Sequence, residues 1–416
     1  MGYRTVDAPT SIELAACVQC GLCLPHCPTF RLTGKESASP RGRLAAMRAV
    51  LEGAAEVDAA FDEAISFCLG CRACEAVCPG LVPYGRVLEG TRAELVVQRP
   101  SRGRRLRAFG LGRILPNRGL MRVVALGLAL AQRLRLTSFV RGGAARALAG
   151  LRRLEPSRPS WVGRTVEPVG EPRGTAMVLS GCVMDGWFGR VHDATVGLLQ
   201  EAGYRVEIPP AQTCCGALAA HDGHADVARR LAAQNVAAFA TADVIVADAA
   251  GCSAHLKEYA HLTAGGAEFS ERVKDVTEIV AAMIADGSLP TFEPSGERVA
   301  VQDPCHLRHA QRIVSEPRSI LRAAGLEPVE IDPDGLCCGA AGIYTVLRPN
   351  ASAELGRMKA AQIEAVGVAA VASANPGCEM QLRANLESAT RVSHPIEWYY
   401  EKLTASKSDR YAAAPQ

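Results

Sequence analysis

Sixteen cysteines in a 416-residue chain carry its chemistry, and their spacing sorts them into four groups of four. The first two groups are copies of one run: Cys17, Cys20, Cys23 and Cys27 before Pro28, then Cys68, Cys71, Cys74 and Cys78 before Pro79. Three thiols at C-x-x-C-x-x-C spacing turn toward one corner of space, and soft thiolates suit iron in a cluster with sulfide. In such a run three cysteines take one [4Fe–4S] cluster and the fourth reaches across to the other. The expected sets are Cys17, Cys20 and Cys23 with Cys78, and Cys68, Cys71 and Cys74 with Cys27. Zinc ribbons pair their cysteines and lack this third, equally spaced thiol. Disulfides need an oxidising compartment. The first ten residues show no apolar export signal, so the expected location is cytoplasmic.

The other eight cysteines expose an internal duplication. Cys182, Cys214 and Cys215 recur 123 residues on as Cys305, Cys337 and Cys338, and Cys252 recurs 126 residues on as Cys378. Gly216 and Gly339 follow the paired cysteines, giving Cys-Cys-Gly twice, and Gly251 and Gly377 precede the last cysteine of each set. Neighbouring thiols on an extended loop point apart, so a Cys-Cys-Gly loop offers two ligands to one metal group while the glycine permits close approach. A vicinal thiol pair without metal is the plainer alternative. The duplication leaves no cysteine over, which favours ligands.

Elements must hold these groups. Between the first two runs, Leu44, Met47 and Leu51 recur at helical spacing, as do the apolar residues of 57–65, so the spacer is predicted helical. This gives a helical ferredoxin-like domain over 8–98, with Arg41 and Arg43 either at a cluster edge or on the surface. From 173 onward strand-like runs (176–180, 244–248) alternate with helical stretches (191–202, 227–241), the pattern of an α/β domain with a largely parallel sheet. Ligands would gather in loops after the strands. The predicted class is a multi-domain α+β chain: the helical [4Fe–4S] domain, an Arg-rich helical linker over 99–172, and two α/β Cys-Cys-Gly repeats over 173–290 and 297–404. Low aromatic content (5%) beside 48% hydrophobic residues argues against an all-β sandwich.

The net charge of +3 hides an asymmetry. Residues 86–164 hold 18 arginines, no lysine, and three acids, Glu89, Glu94 and Glu155, so that segment is +15 and the rest −12. It includes an apolar run, 119–131, broken by Arg122 and shorter than a spanning helix requires. Two readings stay open: a linker helix packing its apolar face on a neighbour, or an interfacial helix meeting anionic lipid or an acidic partner. Nucleic acid is not expected, since no aromatics interleave the arginines and no DNA-binding motif is present.

The Cys-Cys-Gly repeats resemble the cysteine-rich domain shared by heterodisulfide reductases, lactate-utilisation iron–sulfur proteins and anaerobic glycerol-3-phosphate dehydrogenases. End to end, the chain most resembles the iron–sulfur subunits of bacterial glycolate oxidases. The residues that carry this are Cys17-Val-Gln-Cys-Gly-Leu-Cys23, Pro40-Arg-Gly-Arg43, Cys68-Leu-Gly-Cys-Arg-Ala-Cys-Glu75, Pro304-Cys-His-Leu307, Cys337-Cys-Gly-Ala-Ala-Gly-Ile-Tyr344, Ala374-Asn-Pro-Gly-Cys378 and His394-Pro-Ile396. One departure stands out. The heterodisulfide reductase repeat closes on C-x-x-C, whereas here the closing positions read Cys252-Ser-Ala-His255 and Cys378-Glu-Met-Gln381. The fifth thiolate is missing from both halves, which argues against heterodisulfide cleavage and leaves His255 as a candidate substitute ligand.

The resemblance implies an electron-transfer subunit of a flavin-dependent 2-hydroxy-acid (glycolate) oxidase or dehydrogenase. FAD would sit on a partner subunit, and this chain, with two [4Fe–4S] clusters and one or two more in the Cys-Cys-Gly domain, would pass single electrons to quinone or another acceptor. Peripheral membrane contact through 86–164 is part of that expectation. No G-x-G-x-x-G opens a β–α unit, in keeping with a flavin held elsewhere. His306 and His309, beside Cys305, are candidates for a supporting or proton-handling role. The alternatives are the equivalent subunit of a lactate or glycerol-3-phosphate dehydrogenase, or a Cys-Cys-Gly reductase that is itself catalytic.

Overall fold

Capping residues set the helices of the N-terminal module. Thr10 and Glu13 close a capping box on Ser11–Ala15, Ser39 caps Pro40–Leu51 through the Gly42 N–H, and Asp58 caps Ala59–Ser66. In the computed structural model, which describes residues 2–155 and 158–412, these helices and Tyr84–Gln98 enclose one core around Leu14, Met47, Val50, Ile65 and Val87. The spacer is helical as its periodicity predicts, but its inner face differs by one residue. Val50 is fully buried and Leu51 only half-buried. At 100° per residue Leu44, Met47 and Leu51 span only about 60°, so the difference comes from the neighbouring helices, which wrap the Val50 side of the helix more fully than the Leu51 side.

Two sheets follow. The first joins β1 (Thr165–Val166), β2 (Gly174–Leu179), β3 (Tyr204–Glu207), β4 (Val244–Ala247) and β5 (Val273–Asp275) in the order β1-β3-β2-β4-β5, parallel except for β1. The second joins β6 (Arg298–Val301), β7 (Glu327–Glu330), β8 (Ala370–Ala372) and β9 (Arg391–Ser393) in the order β7-β6-β8-β9, all parallel. Without β1 the two orders are the same, so the duplicated cysteines sit on duplicated topology. Helices Gly189–Glu201, Val276–Ala285, Ser315–Ala323 and Pro395–Ala412 share one apolar core between the sheets through Val191, Val280, Ile320 and Tyr399.

The linker is more than a tether. Its end supplies β1, and its helix Gly142–Ala149 packs on the second repeat so closely that a Cβ on Gly143 would meet the Thr345 carbonyl oxygen at 2.4 Å. Arg152 donates to Glu397 at 2.8 Å and lies 3.4 Å from buried Glu379.

His394 is buried at the joint between β9 and Pro395–Ala412. Its Nδ1 accepts from the Ile396 N–H at 3.3 Å, and its Nε2 has no partner. Burial pushes this imidazole down to about 4. An unfolded histidine titrates near 6.5, so the unfolded chain takes up the proton first as pH falls. Stability is therefore fully present above pH 6.5 and lost toward pH 4, by on the order of 3 kcal/mol from this residue. His394→Asn, which keeps an acceptor for Ile396, should flatten that limb of an anaerobic melting-temperature profile. An unchanged limb would assign acid sensitivity to other groups.

Candidate metal centres

The four thiols of each expected ferredoxin set meet in one cavity. Cys17, Cys20, Cys23 and Cys78 line the first, with Arg41 at its wall, and Cys27, Cys68, Cys71 and Cys74 line the second, with Thr29 and Arg43. Each run thus sends its fourth cysteine into the other run's cavity, and Cys74 borders both. Local structure explains the placement. Cys27 is the N-cap of Pro28–Thr33, its Sγ 3.3 Å from Thr29 Oγ1, and Gly21, at φ +83°, takes the left-handed turn that folds the first run back. The Gly70 N–H donates to Cys68 Sγ at 3.4 Å, the kind of contact that stabilises a thiolate.

Arg43 is the residue that sequence reasoning left undecided. It is fully buried, its Nε donating to the Ala64 carbonyl at 2.7 Å and Nη2 to Thr29 Oγ1 at 3.0 Å, while Nη1 has no partner. Burial opposes its charge, yet the Cys68 thiol and its neighbours raise its pKa. Arg41 instead stays near the surface, paired with Glu36 at 2.7 Å. No spacing rule marks a buried arginine; the only signal was its place between two cysteine runs.

The Cys-Cys-Gly loops form two further nests. Cys214 Sγ lies 3.5 Å from Cys182 Sγ, and Cys215 Sγ 3.2 Å from Cys252 Sγ. In the second repeat Cys338 Sγ lies 3.2 Å from Cys378 Sγ, and Cys305 stands beside Cys337. Buried hydrogen bonds hold the loops: Asn235 Nδ2 donates to the Cys214 carbonyl at 3.1 Å, Tyr259 Oη to the Cys215 carbonyl at 2.6 Å, and Gly339 N–H to Cys337 Sγ at 3.5 Å. Gly216 and Gly339 sit at φ +88° and +89°, and a Cβ on Gly339 would meet the Ser352 carbonyl oxygen at 2.9 Å. Only glycine fits there.

Ionisation follows from the crowding. Hydrogen bonds from Cys182 and Cys215 hold Cys214 below the ordinary thiol range, and those same contacts push Cys182 and Cys215 above it. Burial, and then neighbouring thiols, push Cys71 and Cys74 up. Four buried thiols cannot all lose their protons together unless cationic metal enters among them. All sixteen cysteines are free of disulfides. The donor set therefore fits iron–sulfur clusters.

The histidines gather where the three parts of the chain meet. His221 Nδ1 lies 2.6 Å from Glu89 of the N-terminal module, and its ring is 5.1 Å from that of His306 and 6.1 Å from that of His255. His255 shares one face of helix Ala250–Leu256 with Cys252; its Nε2 is buried without a partner, and burial lowers it to about 4. His306 Nδ1 lies 3.5 Å from Cys305 Sγ. His309 is tied instead to the Gly335 carbonyl at 2.9 Å. Sequence reasoning missed Glu89 and His221, which come together only through docking between modules.

The nests adjoin one another. Cys71 packs with Leu69 and Ala73 against Cys337, Tyr344 and Leu355 of the second repeat. The repeats touch where the Ala250 N–H donates to the Ala374 carbonyl at 3.1 Å and the Gly251 N–H to Asn375 Oδ1 at 3.2 Å, at the starts of the helices bearing Cys252 and Cys378.

Comparison with known proteins agrees with this layout. Residues 13–82 match a 4Fe-4S dicluster domain, and residues 176–257 and 299–383 each match the Cysteine-rich domain CCG. The chain is 37% identical over 399 residues to a probable glycolate oxidase iron-sulfur subunit of Bacillus subtilis, covering 90% of this chain and 89% of that one. It is 31% identical over 396 residues to the glycolate oxidase iron-sulfur subunit of Escherichia coli, covering 92% and 93%. One subunit of the fumarate reductase (CoM/CoB) of Methanothermobacter marburgensis is 34% identical over 225 residues, 53% of this chain and 44% of that protein.

Proposed function

The chain belongs to the family of glycolate oxidase iron–sulfur subunits, and we propose that it relays electrons from a flavin-bearing partner oxidising glycolate to a quinone acceptor. The observation that carries this reading is the continuity of the four cysteine nests. They run from Cys17–Cys23, through Cys74, to Cys27, Cys68 and Cys71, on to Cys305 and Cys337, and across the Ala250–Ala374 junction to Cys214 and Cys252.

The cysteine sets that would hold clusters are Cys17, Cys20, Cys23 and Cys78; Cys27, Cys68, Cys71 and Cys74; Cys182, Cys214, Cys215 and Cys252; and Cys305, Cys337, Cys338 and Cys378. Clusters held there supply one-electron carriers, whose potentials the protein sets by ligation, hydrogen bonds and burial. The Gly70 and Gly339 N–H groups donate to sulfur, Arg43 adds a buried positive charge, and His255 keeps a free nitrogen on the face of its helix that bears Cys252. FAD belongs to the partner, which would meet the exposed Cys20 loop, where Val18, Leu22 and Leu81 are also exposed. The acceptor would be met at the first repeat, with peripheral contact between residues 86–164 and the inner face of the cytoplasmic membrane.

The test is anaerobic isolation from native cells with whatever stays bound, followed by addition of glycolate. Bleaching of cluster absorbance and new EPR signals in a flavin-containing complex are expected. Reduction by lactate or glycerol 3-phosphate but not glycolate would move the substrate and keep the relay. Intact clusters that no flavin partner reduces would overturn the relay.

A further inference from the structure

Helix Arg118–Arg133 wears its apolar face outward. It packs inward through Met121, Ala125 and Ala129, one turn apart, while Leu120, Val123, Val124, Leu126 and Leu130 stay 39% to 65% exposed. The turn beyond adds exposed Leu134, Leu136 and Phe139. Single exposed leucines need no explanation, but a contiguous stripe of this kind marks an interaction surface. The helix thus packs one apolar edge on the neighbouring repeats, against Trp187 and Met380, and leaves a second apolar face uncovered.

Charge identifies what the stripe faces. Between Glu94 and Glu155 the sequence holds no acidic residue, and Arg113, Arg122, Arg133 and Arg141 are exposed around the stripe. At its flank a cavity of about 530 Å³ opens between the helix and the first repeat, walled by Arg122 of the helix, Arg153, Arg164 and two acids, Asp185 and Glu155, the latter already paired with Arg158 and Arg190. Arg164 lies over the Trp161 ring, and among the described residues Arg122 and Arg153 have no carboxylate partner. An apolar stripe edged by unpaired arginines complements an anionic amphiphile. The helix lies along such a surface rather than through it. No single helix among the described residues is long and apolar enough to cross a membrane, and Arg102–Ile114 meets Arg118–Arg133 at 104°.

We infer that Arg118–Arg133 docks on an anionic phospholipid bilayer, its leucine and valine face among the acyl chains and a lipid phosphate held between Arg122 and Arg153. The helix leans on Val183–Trp187, where a Cβ on Gly186 would lie 3.8 Å from Ala125 Cβ, and that helix starts at Cys182. Docking therefore turns the first-repeat nest toward the bilayer, where a lipid-soluble acceptor dissolves. This last consequence rests on the relay reading; the docking itself does not.

The test is co-sedimentation of the isolated holo-chain and of its flavin complex with vesicles of phosphatidylcholine, alone or mixed with phosphatidylglycerol. Both are expected to sediment with the mixed vesicles, to stay in solution with the neutral ones, and to be released by salt. Arg122→Gln and Arg153→Gln should each weaken binding about fivefold, and Leu126→Glu with Leu130→Glu should abolish it, all with unchanged iron content. Equal binding to both vesicle types, no binding, or variants that bind like the parent would overturn the inference. So would a complex that ignores the vesicles while the isolated chain binds them, because the face would then belong to the flavin partner. Glycolate-dependent cluster reduction, measured on the same samples without vesicles, reports separately on the relay.

Discussion

A Cys71→Ala chain purified anaerobically should carry about four fewer iron atoms than the parent, because one thiolate of a four-thiolate set is gone. The same protein should melt on the order of 10 °C lower or more, for two reasons that add. Cluster binding free energy is folding free energy, since the nest does not exist in the unfolded chain. Cys71 also lies in the apolar contact that joins the N-terminal module to Cys337, Tyr344 and Leu355 of the second repeat, so its loss loosens the seam between modules. The Tyr344 hydroxyl donating to the Phe67 carbonyl at 3.2 Å and the Arg348–Glu63 pair at 2.6 Å hold that seam from either side. Cys20→Ala separates the two contributions. Cys20 is exposed, so its replacement should remove a similar amount of iron with a smaller fall in melting temperature. A Cys71→Ala chain that kept its full iron would exclude Cys71 as a ligand.

What could be read from the sequence divides along physical lines. The cysteine groups and their duplication were legible because ligand spacing is local and the copies lie in one chain. The strands over 176–180 and 244–248 were legible as apolar runs that a parallel sheet buries on both faces. Two features were not, because they depend on docking rather than period. The His221–Glu89 contact needs two modules to meet, and neither residue lies in a motif. The outward face of Arg118–Arg133 could not be told from an inward one, since a helix pattern records which residues share a face and not what that face touches. Arg43 belongs to a third kind. Composition rules place arginine in water, and it is the thiol-lined cavity beside it that changes the balance.

That residue gives the sharpest electrostatic expectation. Arg43→Met keeps the length and apolar stem of the side chain and removes a charge that is buried beside Cys27 and Cys68. Two polar contacts vanish, with the Ala64 carbonyl and Thr29 Oγ1, and the Nη1 group that lacks a protein partner vanishes with them. If the cavity held neutral thiols, losing an incompletely satisfied buried guanidinium would be close to neutral or stabilising. If it holds an anionic cluster, each added electron loses a counter-charge. At an effective dielectric of about 20, a unit charge lining the same cavity would be worth on the order of 3 kcal/mol, which would lower a one-electron potential by on the order of 100 mV. An anaerobic EPR redox titration should therefore find one centre shifted to lower potential and the Cys17-side centre much less affected. Melting should fall with iron bound and recover part of the difference in the iron-free chain. A conservative Arg43→Lys replacement, which retains the charge but not the forked donors, should restore most of the potential and less of the stability. An Arg43→Met protein with unaltered potentials would reduce this arginine to a packing residue.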